Sequence, residues 1–73
     1  MKKLSEKIRI TLAAARVNAH MTQEEAAKGL KISKRTILNW EKGVVLPSMA
    51  DMKALADMYN FPVDNISLPR DST

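Results

Sequence analysis

At 73 residues the chain has room for one small core, and a domain of this size buries only about 60% of the surface its unfolded chain exposes. There is no cysteine, so neither a disulfide framework nor a thiolate metal site reinforces that core, and the 45% hydrophobic content must hold it by packing. No apolar run approaches a membrane span and the N-terminus lacks the apolar segment of a signal peptide, which makes a cytoplasmic protein without membrane contact the expectation. The net charge of +4 is unevenly spread: residues 1–44 carry ten Lys or Arg against four acids, and residues 45–73 carry two against four. A basic end gathered on one face attracts a polyanion.

No stretch alternates β-branched with polar residues, and the chain reads as all-α, a compact domain of four to five helices. Leu4, Ile8, Leu12 and Ala15 recur at intervals of three or four, which predicts a first helix over about 5–18. Thr22 precedes Gln23, Glu24 and Glu25, a Thr-x-x-Glu capping box that opens a second helix over 23–30 and turns Ala26, Ala27 and Leu30 inward. Ser33 caps a third helix over 34–42, and Gly43 supplies the left-handed residue that stops it. Pro47 and Ser48, with Asp51 three residues on, begin a fourth helix over 49–59. Its inward stripe is Met49, Met52, Leu55, Ala56 and Tyr59, and Asn60 can end it in a left-handed conformation. Pro62 opens a last helical turn over 63–66 carrying Val63 and Ile66. The domain then spans residues 1–67, and residues 68–73 form a flexible polar tail. The expected core comprises Ile8, Leu12, Met21, Ala27, Leu30, Ile32, Ile37, Trp40, Met52, Leu55, Ala56 and Ile66.

Only Lys31 and Ile32 separate the second helix from the cap of the third, so the two are joined by a tight turn. On the third helix Ile37 and Trp40 share the inward face, while Lys34, Arg35, Thr36 and Asn39 lie on the side that faces away. This is the physical description of a helix-turn-helix whose second helix fits the major groove of B-DNA. Arg35 can fork two donors onto a guanine, Lys34 can offer one charged donor to a guanine or a phosphate, Asn39 can pair an adenine edge, and Thr36 can meet a thymine methyl. No acid follows Lys34 or Arg35 four residues later on their face.

Other residues call for plainer readings. Trp40, in register with Ile37, is core and not a base-stacking platform. His20 has no partner at metal-ligand spacing, so no metal site is expected. Met21, Met49, Met52 and Met58 serve as adaptable core fillers. No nucleophile, base and orienting acid come together, and neither an enzyme nor a cofactor is expected.

The stretches "TQEEAAKGLKISKRTILNWEKG" and "LPSMADMKALADMYNFPVDNI" resemble the Cro and repressor type of helix-turn-helix domain, the XRE family of phage and bacterial regulators. The likeness covers roughly Ile8 to Ile66 without a gap. It implies a lambda-repressor-like fold in which Gln23, beside Thr22 at the start of the second helix, binds a backbone phosphate. Lys34, Arg35 and Asn39 then stand where relatives read bases, with Ser33 and Thr36 on the rim of that surface. Arg16 matches a first-helix arginine that approaches the phosphates and pairs with a glutamate at the end of the recognition helix, here Glu41. Lys42, Gly43 and the amides around Ser48 fall where the following loop grips flanking phosphates. Two departures concern the turns: Lys31 replaces a glycine between the second and third helices, and His20 replaces one ahead of Thr22.

The implied function is a sequence-specific, double-stranded-DNA-binding transcriptional regulator, a Cro-like or short repressor made of the DNA-binding domain alone. It is expected to act as a homodimer on a palindromic operator, self-associating near Phe61, Pro62, Val63, Ile66 and Leu68. Two other readings stay open: an antitoxin or coactivator-like module that binds a protein, and a binder of RNA or any duplex through charge alone.

Overall fold

The structure, a computed structural model, describes residues 8–68. Its elements run β1 (Ile10–Thr11), α1 (Leu12–Asn18), α2 (Gln23–Leu30), α3 (Lys34–Lys42), α4 (Met49–Tyr59), a 3-10 turn (Val63–Asn65) and β2 (Ile66–Ser67). Four helices carry the fold, as the pattern of apolar positions predicts.

Each helix starts at a hydroxyl. Thr11, Thr22, Ser33 and Ser48 accept from the backbone N–H groups of Ala14, Glu25, Thr36 and Asp51 at 3.0–3.1 Å, satisfying donors that have no partner inside the helix. In α2 and α4 the bond is reciprocated, with Thr22 N–H donating to Glu25 and Ser48 N–H to Asp51. The helix ends are equally uniform. His20, Lys31, Gly43 and Asn60 take the left-handed conformation. The next residue's N–H then returns to a carbonyl five positions back: Met21 to Arg16, Ile32 to Ala27, Val44 to Asn39 and Phe61 to Ala56. One motif thus closes all four helices, and only once is its residue a glycine.

The core is Leu12 and Ala15 of α1, Ala26 and Ala27 of α2, Ile37 and Trp40 of α3, Met52, Leu55, Ala56 and Tyr59 of α4, and Ile66. Ala26 and Ala27 let α2 lie close against its neighbours. Gly29, one turn after Ala26, does the same toward α4, where a Cβ would stand 2.6 Å from Met58 Sδ. Met21, Leu30 and Ile32 are partly buried against this core.

Several expectations need correction. The first helix does not begin near residue 5: α1 starts at Leu12, and residues 1–7, including Leu4, lie outside the described residues. Ahead of it Ile10 and Thr11 pair in parallel with Ile66 and Ser67, so an otherwise helical fold contains a two-stranded ribbon. The predicted turn over 63–66 is correspondingly a 3-10 turn over Val63–Asn65 followed by a strand. Asn65 fixes this closure, for its buried side chain donates from Nδ2 to the Ile8 carbonyl at 2.6 Å. Ile8 itself is not core; its carbonyl is engaged while the residue is 45% exposed. Met49, at the first position of α4, is 69% exposed and falls off the inward stripe. The predicted tail lies outside the described residues apart from Leu68, which packs against the core.

Lys31 holds φ at 59°, a conformation that costs a non-glycine residue roughly 1–2 kcal/mol. Part of that is recovered because glycine has more freedom to lose on folding. Lys31→Gly is therefore expected to stabilise the domain by about 0.5–1 kcal/mol in urea unfolding, and Lys31→Val to destabilise it; equal stabilities for all three would contradict the account of this turn.

Candidate nucleic-acid interface

The arrangement of α2 and α3 follows from what they share with α1. Arg16 of α1 meets Glu41 of α3 through two bonds, Nε to Oε2 at 2.7 Å and Nη2 to Oε1 at 3.3 Å. Its Nη1 donates to the Met21 carbonyl at 2.9 Å, in the loop that leads into α2. Gln23, the first residue of α2, donates from Nε2 to Glu41 Oε1 at 3.1 Å. The side chains of Arg16 and Glu41 are 14% and 8% exposed, so the pair is largely shielded from water. The bond to Glu41 raises the Arg16 pKa above its ordinary value, against the opposing loss of hydration.

Around this joint, α3 turns Ile37 and Trp40 inward and leaves Ser33, Lys34 and Arg35 exposed at its N-terminal end, with Thr36 and Asn39 partly so. The Ser33 and Thr36 hydroxyls bond to each other at 3.0 Å, which steadies the first turn. Lys42 and Gly43 are exposed at the far end of α3, and Ser48 is exposed where α4 begins. Thr22 and Gln23 sit at the start of α2. Val44 and Val45, in the loop after α3, are also solvent-exposed.

The sequence-predicted polar residues thus fall into two groups. Ser33, the cap of α3, and Lys34 and Arg35 of its first turn are exposed, with Thr36 and Asn39 partly exposed farther along the helix. Gln23 joins them through Glu41, and Arg16 lies behind, its guanidinium turned to Glu41 and the Met21 carbonyl. Among the apolar residues expected at a self-association surface, Ile66 is buried in the core, which removes it from that surface. Pro62 is exposed, whereas Phe61, Val63 and Leu68 are half-buried and pack against the core.

Sequence reasoning missed two contacts. Gln23 and Glu41 are 18 residues apart. Glu24 lies opposite Lys34, its Oε2 3.5 Å from Nζ; a search for acids along one helix face cannot find a partner on the neighbouring helix. No group of three or more His, Asp or Glu converges as a metal site among the described residues. No helix there is long and apolar enough to cross a membrane.

A cap-to-cap pair of short helices, the second held by a largely shielded ion pair with its cationic end outward, defines a helix-turn-helix domain. The chain belongs to the XRE-type helix-turn-helix family, whose model matches residues 12–66. It is 39% identical over 62 residues to the type II methyltransferase M.SsoII of Shigella sonnei, a match covering 81% of this chain and 16% of that protein. It is 38% identical over 48 residues to the cryptic phage CTXphi transcriptional repressor RstR of Vibrio cholerae, covering 66% of this chain and 43% of that one. The chain therefore spans less than half the length of either relative. No solved structure gives a significant match.

Removing Glu41 leaves Arg16 with one backbone partner in a shielded site. Glu41→Ala is expected to cost roughly 2–3 kcal/mol in urea unfolding, below the full penalty for a dry broken pair because Arg16 keeps some water and the Met21 carbonyl. A loss under about 0.5 kcal/mol would show that the joint does not organise the domain. Tyr59 reports on the same interior: burial, and next the Glu41 carboxylate, push its pKa up to about 12 while Arg16 pulls the other way. Below pH 10 the phenol is neutral whether the chain is folded or not. Between about pH 10 and about 12 only the unfolded chain releases the proton, so stability falls across that window. Tyr59→Phe is expected to flatten that part of the pH profile, and an unaltered profile would contradict it.

Proposed function

We propose that the chain is a sequence-specific, double-stranded-DNA-binding transcriptional regulator, a Cro-like or short repressor, with α3 as its recognition helix. The observation that carries the reading is the outer edge of α3: a row of donors that faces water on a helix whose opposite face is fixed in the core. Arg35 presents the planar fork that matches the two acceptors of guanine, and Lys34 a point charge. Asn39 suits an adenine edge, and Thr36, with its hydroxyl engaged by Ser33, offers a methyl to thymine.

Phosphate contacts frame these. Gln23 keeps one amide hydrogen and its carbonyl beyond the bond to Glu41, beside the free N–H groups at the start of α2 and the Thr22 cap. Lys42, Gly43 and the amides near Ser48 lie on the other side. Arg16, its charge matched by Glu41, supports these contacts from behind by holding Gln23 and α3 in place through that carboxylate. The similarity to a repressor supports regulation. A shared segment in a repressor and in a methyltransferase, covering only 16% of the latter, is more simply a common recognition module than a common reaction, which favours a non-enzymatic role.

A single domain offers about three to five phosphate contacts, too few for tight binding at physiological salt. Two copies on a two-fold site, with half-sites about 34 Å apart, remedy this. Pro62 with the exposed parts of Phe61, Val63 and Leu68 forms the proposed self-association surface.

Arg35→Ala tests the reading. It is expected to leave folding intact and to weaken a selected site by about 1–3 kcal/mol while relaxing preference at one or two base pairs, measured by competitive titration with single-base variants. An equal loss on every duplex would favour charge-only binding. No loss at all would favour a protein-binding module of the antitoxin or coactivator kind.

A further inference from the structure

The pairing of Glu24 with Lys34 belongs neither to the core nor to a helix cap. Glu25 and Asp51 close capping boxes, and Glu41 holds Arg16 and Gln23. Glu24 instead reaches from the first turn of α2 to the first residue of α3, and its side chain and that of Lys34 are 71% and 53% exposed. An acid in a first turn favours its own helix through the macrodipole, but that role requires no contact with α3. The contact places a carboxylate beside the leading cation of the surface proposed to read DNA.

On that reading of α3, we propose that Glu24 is a specificity determinant: it withholds the Lys34 ammonium from phosphates of arbitrary sequence and yields it to an acceptor on a base edge. Attraction between a lysine and phosphate is blind to sequence, and lysine, a flexible point charge, is readily drawn to the backbone. The neighbouring carboxylate opposes this twice, by neutralising the ammonium and by repelling phosphate oxygens. The pair is exposed and so worth at most about fivefold in an equilibrium constant. A well-placed guanine acceptor outcompetes it, since a good base contact exceeds that factor. Random duplex, lacking that acceptor in register, meets one cation fewer.

The test uses the full chain with two probes of equal length, a duplex selected from a random pool by the protein and a random-sequence duplex, titrated between about 50 and 200 mM salt. Glu24→Gln is expected to bind the random duplex about three- to fivefold more tightly, with the slope of log K against log salt steeper by about 0.9. The selected duplex gains less, so the ratio of the two affinities falls. Adding Lys34→Met to Glu24→Gln returns the random-duplex affinity and slope to their starting values. Circular dichroism melts establish that both variants fold. An unchanged random-duplex affinity and slope in Glu24→Gln overturns the proposal, and so does an equal gain on both probes. If Arg35→Ala weakens the selected duplex while Glu24→Gln changes nothing, only the role of Glu24 falls. If the parent chain does not distinguish the two probes, the DNA-reading assignment falls, and this proposal with it.

Discussion

Both oxygens of the Glu41 carboxylate are occupied, and their partners come from different helices: Arg16 of α1 on one side and, through the shared Oε1, Gln23 of α2. Because Arg16 also donates to the Met21 carbonyl, the loop that aims α2 is tied to the same point. Short helices have little intrinsic stability, and α2 and α3 have eight and nine residues. Their mutual angle must be imposed by tertiary contacts. The apolar contribution comes from Ala26, Ala27, Ile37 and Trp40, but such packing is non-directional. The forked arginine and the carboxylate add direction, which the proposed meeting of the outer edge of α3 with base edges in register requires.

The helix ends contribute a second kind of order. A left-handed residue followed by a six-to-one backbone bond stops the chain abruptly, so that the next hydroxyl cap can begin within a few residues. This keeps the turn between α2 and α3 short even though lysine and not glycine occupies the left-handed position. At the other end of the domain Asn65 binds the Ile8 carbonyl across 57 positions. The resulting ribbon of Ile10–Thr11 and Ile66–Ser67 closes the described fold against α1.

The three internal helices were legible because their signals are local. Thr22 with Glu25, Ser33, and Ser48 with Asp51 each mark a start within four residues, and Gly43 and Asn60 mark ends. The strained positions of Lys31 and His20 were legible through the family, where glycine is usual. The beginning of α1 was not: the spacing of Leu4, Ile8, Leu12 and Ala15 continues through Ile10 and Thr11, and the ribbon that interrupts it depends on a partner near the other end of the chain. A two-residue strand is too short to show alternation. Gly29 is explained only by Met58, which approaches it from another helix. The polar edge of α3 could be read from the sequence, because one turn of amphipathic pattern suffices. The Glu24 contact could not, since it crosses between helices.

The charge distribution agrees with this division of labour. The basic half of the sequence contains α1, α2 and α3, and the acidic half contains α4 and the 3-10 turn, so the surplus of cations lies in the part of the chain that carries α3. Under the proposed function the outer edge of α3 reads a defined sequence in the major groove of duplex DNA. Repeated selection of duplexes from a random pool by the purified chain tests it most directly. Enrichment of a two-fold symmetric motif with half-sites about one helical turn apart is expected. A pool that remains random after selection, with binding that varies only with salt, would contradict it.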